Sequence, residues 1–295
     1  MHKIKGYALA IISAVSYGLI PLFVLPIKTA GFSLDTTLFY RFFISALFIL
    51  AYLLYKKESL KVNFREFFIL LTLGLFYALS ADLLFLGYDY LSPGVASTIL
   101  FVYPVIVALI MVFWFKEKIG KLTILSLFIT LIGILILSAK DSLLDIRFLG
   151  LFITLLCAAL YALYIIIVNK AKISGSGTKI TFYSLLFSSL YYLVKTSIAG
   201  ESLLIPHTDL LFNFILFALV TTVFSVLALV HAIKLIGSTP TSILGALEPV
   251  VAVCISVILF GEDLTLNLIA GVLLILVGVI INIVADSRKN KTNVE

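Results

Sequence analysis

Charge is what this sequence has least of. Asp, Glu, Lys and Arg make up 12% of the 295 residues, against 62% hydrophobic residues. Soluble domains carry about 25% charged residues, so a soluble globular fold is excluded. Cysteine is nearly absent. Cys157 and Cys254 are the two, both inside apolar runs and neither with a second Cys or a His at metal-ligand spacing. That excludes a disulfide framework and a metal centre, and leaves inert buried thiols. Of the three histidines, His2 lies in the N-terminal tail and His207 in a loop. No His, Asp and Ser constellation on facing helices is available for an intramembrane enzyme, and no cofactor is called for. There is no G-x-x-x-x-G-K-[ST] and no loop long enough for a nucleotide-binding domain. The strict alternation of polar and apolar residues that a membrane β-barrel needs is also missing. Few polar residues fall on any one face, which argues against an open aqueous channel.

Long apolar stretches fill the chain instead. Runs of about 20 residues follow one another nearly end to end, the length at which an α-helix crosses a bilayer. Ten such spans are expected, at about 6–27, 34–55, 66–89, 93–115, 121–139, 148–169, 179–199, 210–234, 240–260 and 265–285. The expected class is an all-α, multi-pass integral membrane protein in contact with lipid. The net charge of +6 does not signal nucleic acid, because the basic residues sit in the short loops. With the N-terminus inside, 16 of the 21 Lys and Arg fall on the inner side. That bias places both termini in the cytoplasm.

The chain states one pattern twice. Leu100 to Gly133 and Gly245 to Gly278 align without a gap at a shift of 145 positions. Ser97 falls on Ser242, Pro104 on Pro249, Val105 on Val250, Phe115 on Phe260, Glu117 on Glu262 and Gly133 on Gly278. Tyr17 falls on Tyr161, and Phe39-Tyr40 on Phe182-Tyr183, at shifts of 144 and 143. Spans 1–5 therefore repeat as spans 6–10, with units expected at 1–143 and 144–287 and a cytoplasmic tail at 288–295. Five is odd, so the second copy enters the membrane inverted. Inverted repeats of this kind place a substrate site around a central cavity near the midplane, between the halves, with alternating access by rocking.

Two five-span units, each with a small polar segment, an internal proline and a terminal acid, resemble the drug/metabolite transporter superfamily, in its EamA-like branch. The residues that carry the likeness are Ser97-Thr98, Pro104-Val105 and Phe115-Lys116-Glu117 in one copy. In the other they are Ser242, Glu248-Pro249-Val250 and Phe260-Gly261-Glu262. The likeness covers about residues 6–285, and Lys116 against Gly261 is its loose point. It implies a carrier of small metabolites in a bacterial inner membrane, often an exporter of amino acids or related amphipathic or cationic compounds. A flippase for lipid or lipid-linked substrates shares the architecture. Ten spans already supply both halves of a cavity, so a monomer suffices.

Several residues stand out as chemistry. Glu248 lies roughly 12 Å along span 9 at 1.5 Å per residue, near mid-membrane. A carboxylate there is costly and points to a substrate amino group or a coupling proton. A protonated structural Glu bonded to a neighbouring carbonyl is the alternative. Its repeat partner is Tyr103. Arg41 and Asp82 are expected at similar depth in spans 2 and 3 near the outer side, as an ion pair or gate, with Arg41 also able to hold a carboxylate. His231, close to the inner face, is a candidate relay or a carbonyl-bonded packing residue. Tyr17, Tyr40, Tyr103, Tyr161 and Tyr183 are candidates to line an amphipathic cavity, or to pack helices. Pro21, Pro104 and Pro249 interrupt their spans and are candidate hinges. Gly133, Gly271 and Gly278 suggest close helix contact between spans 5 and 10. Glu117 and Glu262 end their helices and are expected to fix turns.

Overall fold

The computed structural model describes residues 2–91, 93–137, 148–171, 173–200, 203, 208–260 and 265–291. The expected repeat boundary at 143/144, the acid Glu262 and the last tail residues lie outside that set. Among the described residues the chain is helical throughout, without a strand. The helices are α1 (His2–Gly18), α2 (Ile20–Thr29), α3 (Leu34–Tyr55), α4 (Phe64–Gly87), α5 (Pro93–Leu100), α6 (Tyr103–Phe113), α7 (Lys121–Leu137), α8 (Phe148–Lys170), α9 (Gly177–Ile198), α10 (Thr208–Ala218), α11 (Ser225–Ile236), α12 (Ser238–Leu244), α13 (Leu247–Phe260) and α14 (Leu266–Lys291). A π-helical turn, Leu219–Phe224, joins α10 to α11.

Sequence sets most of the ends. Ser33 and Ser176 cap α3 and α9, and Asn63 with Glu66 forms a reciprocal capping box on α4. The three prolines expected to interrupt spans do so in one way. Pro21, Pro104 and Pro249 each lie in the first turn of a second half-helix, where a missing N–H costs nothing. The breaks come just before them, at Leu19, at Phe101-Val102 and at Gly245-Ala246. α8 aligns with the broken α1–α2 run but has Ile165 where that run has Pro21, and it is continuous.

Seven helical stretches among the described residues are long and apolar enough to cross a membrane, by length and composition. Thr98–Phe113 and Lys121–Ile136 are apolar but shorter. α9 has the length but carries Lys179, Lys195 and a series of buried Ser and Thr. It runs between α3 and α4 and touches α11, so its polar groups face protein. The outside of the bundle is apolar instead: Phe113, Trp114, Phe128, Phe148, Leu266 and Ile280 are exposed. A soluble monomer does not tolerate such a surface, and lipid does. The chain is a multi-pass membrane protein.

The most extensive pairings are α7 with α14, α3 with α9, α4 with α8 and α1 with α11. Each joins a helix from the first half of the chain to one from the second, so the halves are intertwined rather than set face to face. The glycines expected between spans 5 and 10 lie at the α7–α14 contact. A Cβ on Gly278 would fall 2.2 Å from Thr130 Oγ1, and one on Gly133 would fall 2.9 Å from the Gly271 carbonyl.

Polar clamps hold one end of the bundle. Lys3 and Tyr7 both donate to Asp286, at 2.8 and 2.5 Å, which puts the start of α1 and the end of α14 on one side. Tyr7 is thereby 8% exposed, an internal tie rather than the interface anchor its position suggests. At this same end α11 finishes against Gly6, and His231 packs on Gly177 at the start of α9. There the α3–α4 connection grips the α8–α9 connection. Glu66 accepts from the backbone and hydroxyl of Ser174 at 2.6 and 2.5 Å, and Glu58 accepts from the Ser176 backbone at 3.1 Å. Lys179 donates to the carbonyls of Lys61 and Ser174, and Tyr183 to that of Leu60. Glu66 and Lys179 are 4% and 3% exposed, a burial of charge that only this full set of bonds permits. Glu117, expected to fix a turn, adds a backbone bond to the Met111 carbonyl at 2.9 Å beside Lys116, which has a positive φ of 54°.

Gly278→Leu drives a side chain into Thr130 and is expected to cost about 1–3 kcal/mol by overpacking. A thermal-unfolding series in detergent checks it. An unchanged melting temperature would show that α7 and α14 are not in close contact.

Candidate substrate site

The three helix breaks meet in the middle of the bundle. Gly18, the last residue of α1, lies against α13. A Cβ there would sit 2.8 Å from the Glu248 carbonyl and 2.7 Å from Val251. Tyr103, the first residue of α6, crosses to the α12–α13 break. Its hydroxyl donates to the Ser242 carbonyl at 3.2 Å, and a Cβ on Gly245 would fall 2.0 Å from that hydroxyl. Tyr103 and Glu248 occupy equivalent positions of the duplication, and each stands in the first turn of a half-helix.

Around them is a cluster of tyrosines. Tyr17 and Tyr77 share a hydrogen bond of 2.9 Å between hydroxyls. Tyr77 packs on Tyr164 with ring centroids 5.2 Å apart, and Tyr103 meets Tyr161 edge-on at 4.8 Å. Tyr161 and Tyr164, one helical turn apart on α8, stack with planes within 5°. Tyr77, Tyr103 and Tyr164 are buried, whereas Tyr17, Tyr161 and Glu248 are half-buried.

Glu248 is the carboxylate of this cluster. It interacts electrostatically with Arg41, Tyr103 and Tyr161. Among the described residues its side chain has no hydrogen-bond or ion-pair partner, and its backbone N–H donates to the Gly245 carbonyl at 3.0 Å. Its place in the first turn of α13 puts the positive end of that helix behind it. Glu248 falls midway along the candidate span Ser238–Leu259, where the sequence reading placed it, and the break at Gly245-Ala246 also puts it in the first turn of a half-helix.

Arg41 does not pair with Asp82. It turns toward the π-helical turn, where Nε donates to Thr222 Oγ1 at 2.6 Å and Nη2 to the Thr221 carbonyl at 3.3 Å. Its guanidinium carbon lies 5.1 Å from the Tyr17 ring centroid and 4.8 Å from that of Phe217. Asp82 pairs with Lys195 of α9, which also holds Asp35 at 3.0 Å, and accepts from Tyr191 at 2.9 Å. Matching depth along adjacent helices suggested the Arg41–Asp82 pair. The helix wedged between them, α9, supplies the real counter-ion. This cluster closes the end of the bundle opposite the chain termini.

Other candidates lie away from the centre. Tyr40 belongs to an aromatic group with Phe39 and Phe214 beside Ile27 and Phe217. Tyr183 is part of the clamp on Leu60. His231 bonds the Leu227 carbonyl of its own helix at 2.7 Å and packs on Gly177, with nothing that links it to Glu248. The packing alternative describes all three. The sequence reading passed over Tyr77, Tyr164, Thr221 and Thr222. Tyr164 could have been found from its place three residues after Tyr161. Nothing in an apolar run marks the others.

The sequence profile of the EamA-like transporter family matches residues 4–139 and again residues 148–284. The chain belongs to the EamA-like transporter family. This family member is 25% identical to an uncharacterized transporter, YyaM, of Bacillus subtilis (strain 168), over 84% of each chain. It is 25% identical to a second one, YvbV, over 75% of this chain and 72% of that one. A match at 24% identity to an uncharacterized transporter of Clostridium kluyveri spans 60% of this chain and 59% of that relative's length. A solved crystal structure superposes with a TM-score of 0.78 over 95% of this chain and 96% of its own, at 14% identity, a likeness of fold.

In this transporter the Tyr103–Gly245 contact is a lock-and-key pair between two breaks. Gly245→Ala is expected to destabilise by about 1–3 kcal/mol. Tyr103→Phe, which removes the clashing hydroxyl, should restore at least half of that loss. Strictly additive effects in the double-mutant cycle would mean that the two residues do not touch.

Proposed function

We propose that this protein is a secondary carrier that exports small amphipathic metabolites, of the amino-acid kind, across the bacterial inner membrane by alternating access. The observation that carries the reading is Glu248, a half-buried carboxylate without a partner among the described residues, set at a helix break beside a cluster of tyrosines. An unpaired charge at such depth costs several kcal/mol after relaxation, and a carrier recovers that cost through a ligand or a proton. The direction and the kind of metabolite rest on family resemblance.

Ten spans in two inverted five-helix units are part of this proposal. The family profile's double match and the reciprocal pairing of helices support it: α4 packs on α8 as α11 packs on α1, and α6 packs on α8 as α13 packs on α1. Two packing groups emerge, α4–α6 with α8 and α11–α13 with α1, and the tyrosine cluster lies between them. Rocking of these mixed groups about α3 and α9 would expose the centre to one side and then the other. The Lys and Arg bias puts the termini in the cytoplasm, and the shared Asp286 tie agrees with both being on one side. The protein is taken to act as a monomer, with protons as the coupling ion.

The test is flux in proteoliposomes, with an internal pH dye, for amino acids, organic cations and nucleosides. Glu248→Gln is expected to lower flux by about 100-fold or more, a loss of the size that follows when a charged binding group is removed, while eluting as the wild type does. Normal flux by that variant would overturn the role of Glu248. Scrambling of a fluorescent lipid with no solute flux would favour a flippase.

A further inference from the structure

We infer that Arg41 is a specificity-determining residue that sets the charge of the substrate, excluding net cations from the central site. The inference rests on the carrier reading above and deepens it. Arg41 is 5% exposed and held in place on several sides: by Thr221 and Thr222 of the π-helical turn, and by the rings of Tyr17, Phe42 and Phe217. A guanidinium stays protonated in any such setting. It is therefore a fixed positive charge, held by the two threonines and packed against the three rings.

The charged groups that face the centre can be taken element by element. α13 contributes Glu248, and the charged group whose field acts on it is Arg41. α1, α4, α6 and α8 contribute Tyr17, Tyr77, Tyr103, Tyr161 and Tyr164, which are neutral. The π-helical turn contributes two threonines. α9 contributes Tyr192, whose hydroxyl is taken by the Ala78 carbonyl. Asp35, Asp82 and Lys195 neutralise one another at the far end, leaving one negative charge at that mouth. The clamp of Glu58, Glu66 and Lys179 is at the other end and is internally bonded.

Among the described residues the centre thus holds one fixed cation and one acid. Its charge is zero with Glu248 ionised and +1 with Glu248 protonated, and it is never negative. A net cation would raise it to +1 or +2 in surroundings of low dielectric, where like charges repel strongly. A zwitterion leaves it neutral, with an ammonium on Glu248 and a carboxylate toward Arg41. An anion is neutral there when one proton travels with it on Glu248. Arg41 has a nitrogen to offer: Nη1 has no hydrogen-bond partner among the described residues and is not among the sealed-off atoms.

Three probes of one shape test this: L-phenylalanine (zwitterion), phenethylamine (cation) and 3-phenylpropionate (anion). Their affinities are read from ligand-induced thermal stabilisation of the purified full-length chain in detergent. In the wild type, phenethylamine should bind at least about tenfold more weakly than the better of the other two, by like-charge repulsion. Arg41→Lys should keep that order, and Arg41→Gln should shift it toward phenethylamine by about tenfold or more. Glu248→Gln, which leaves a permanent +1, should shift it toward 3-phenylpropionate, and it serves if Arg41→Gln does not elute as a single species. Phenethylamine binding tightest in the wild type overturns the inference, as does an order that none of the charge-changing variants alters. Binding of none of the three by the wild type overturns the proposed organic-solute site itself, and the inference with it.

Discussion

The structure depends on one constraint: inside a bilayer every backbone N–H and C=O must find a partner within the protein. Unbroken helices meet it automatically. Among the described residues this chain breaks apolar spans before a proline at three places and widens one helix into a π turn, and each departure frees carbonyls. The answers come from side chains of other helices. Tyr103 covers the Ser242 carbonyl, Arg41 covers Thr221, Ser45 covers Ala218, and Asn213 reaches back to Phe23 at 3.1 Å. These four side chains serve irregular backbone, whereas others, such as Thr154 and Thr196, bond carbonyls of their own helices. The irregular backbone is where the candidate site lies.

The same economy governs charge. At each end of the bundle, acids and lysines from connecting segments or helix ends satisfy one another or the backbone, which is how Glu66 and Lys179 come to be buried. In the centre the arrangement differs. Arg41 is bound on two nitrogens and boxed by aromatic rings, while the Glu248 carboxylate has no bonded partner among the described residues. A structure that satisfies its other described buried charges so fully and leaves one half-buried carboxylate unpaired has made an exception there. The carrier reading takes that exception as the point of function.

Much of this was legible in the residues. The membrane class, the positions of the helices, the duplication, the proline breaks, the glycine contact between α7 and α14, and Glu248 as the central charge can all be read along the chain. Tyr17, Tyr103 and Tyr161 were also found, because the repeat relates Tyr17 to Tyr161 and Tyr103 to Glu248. What failed was pairing. Arg41 and Asp82 were matched by depth, yet Asp82 pairs with Lys195 and Arg41 with the π-helical turn. Tyr40 and Tyr183 follow the packing alternative.

The sequence by itself determined what lies along each helix: its length, its caps, its break before a proline, and the apolar surface it shows to lipid. These follow from local rules of helix formation and from the solvent the chain must meet. Tertiary structure alone decided which face of each helix meets which neighbour. A run that is apolar on all sides has no periodicity to mark its inner face, so nothing local could show that α9 slides between α3 and α4 and brings Lys195 to Asp82. Nor could it show that Arg41 turns to a π-helical turn in α10–α11, 180 residues away along the chain.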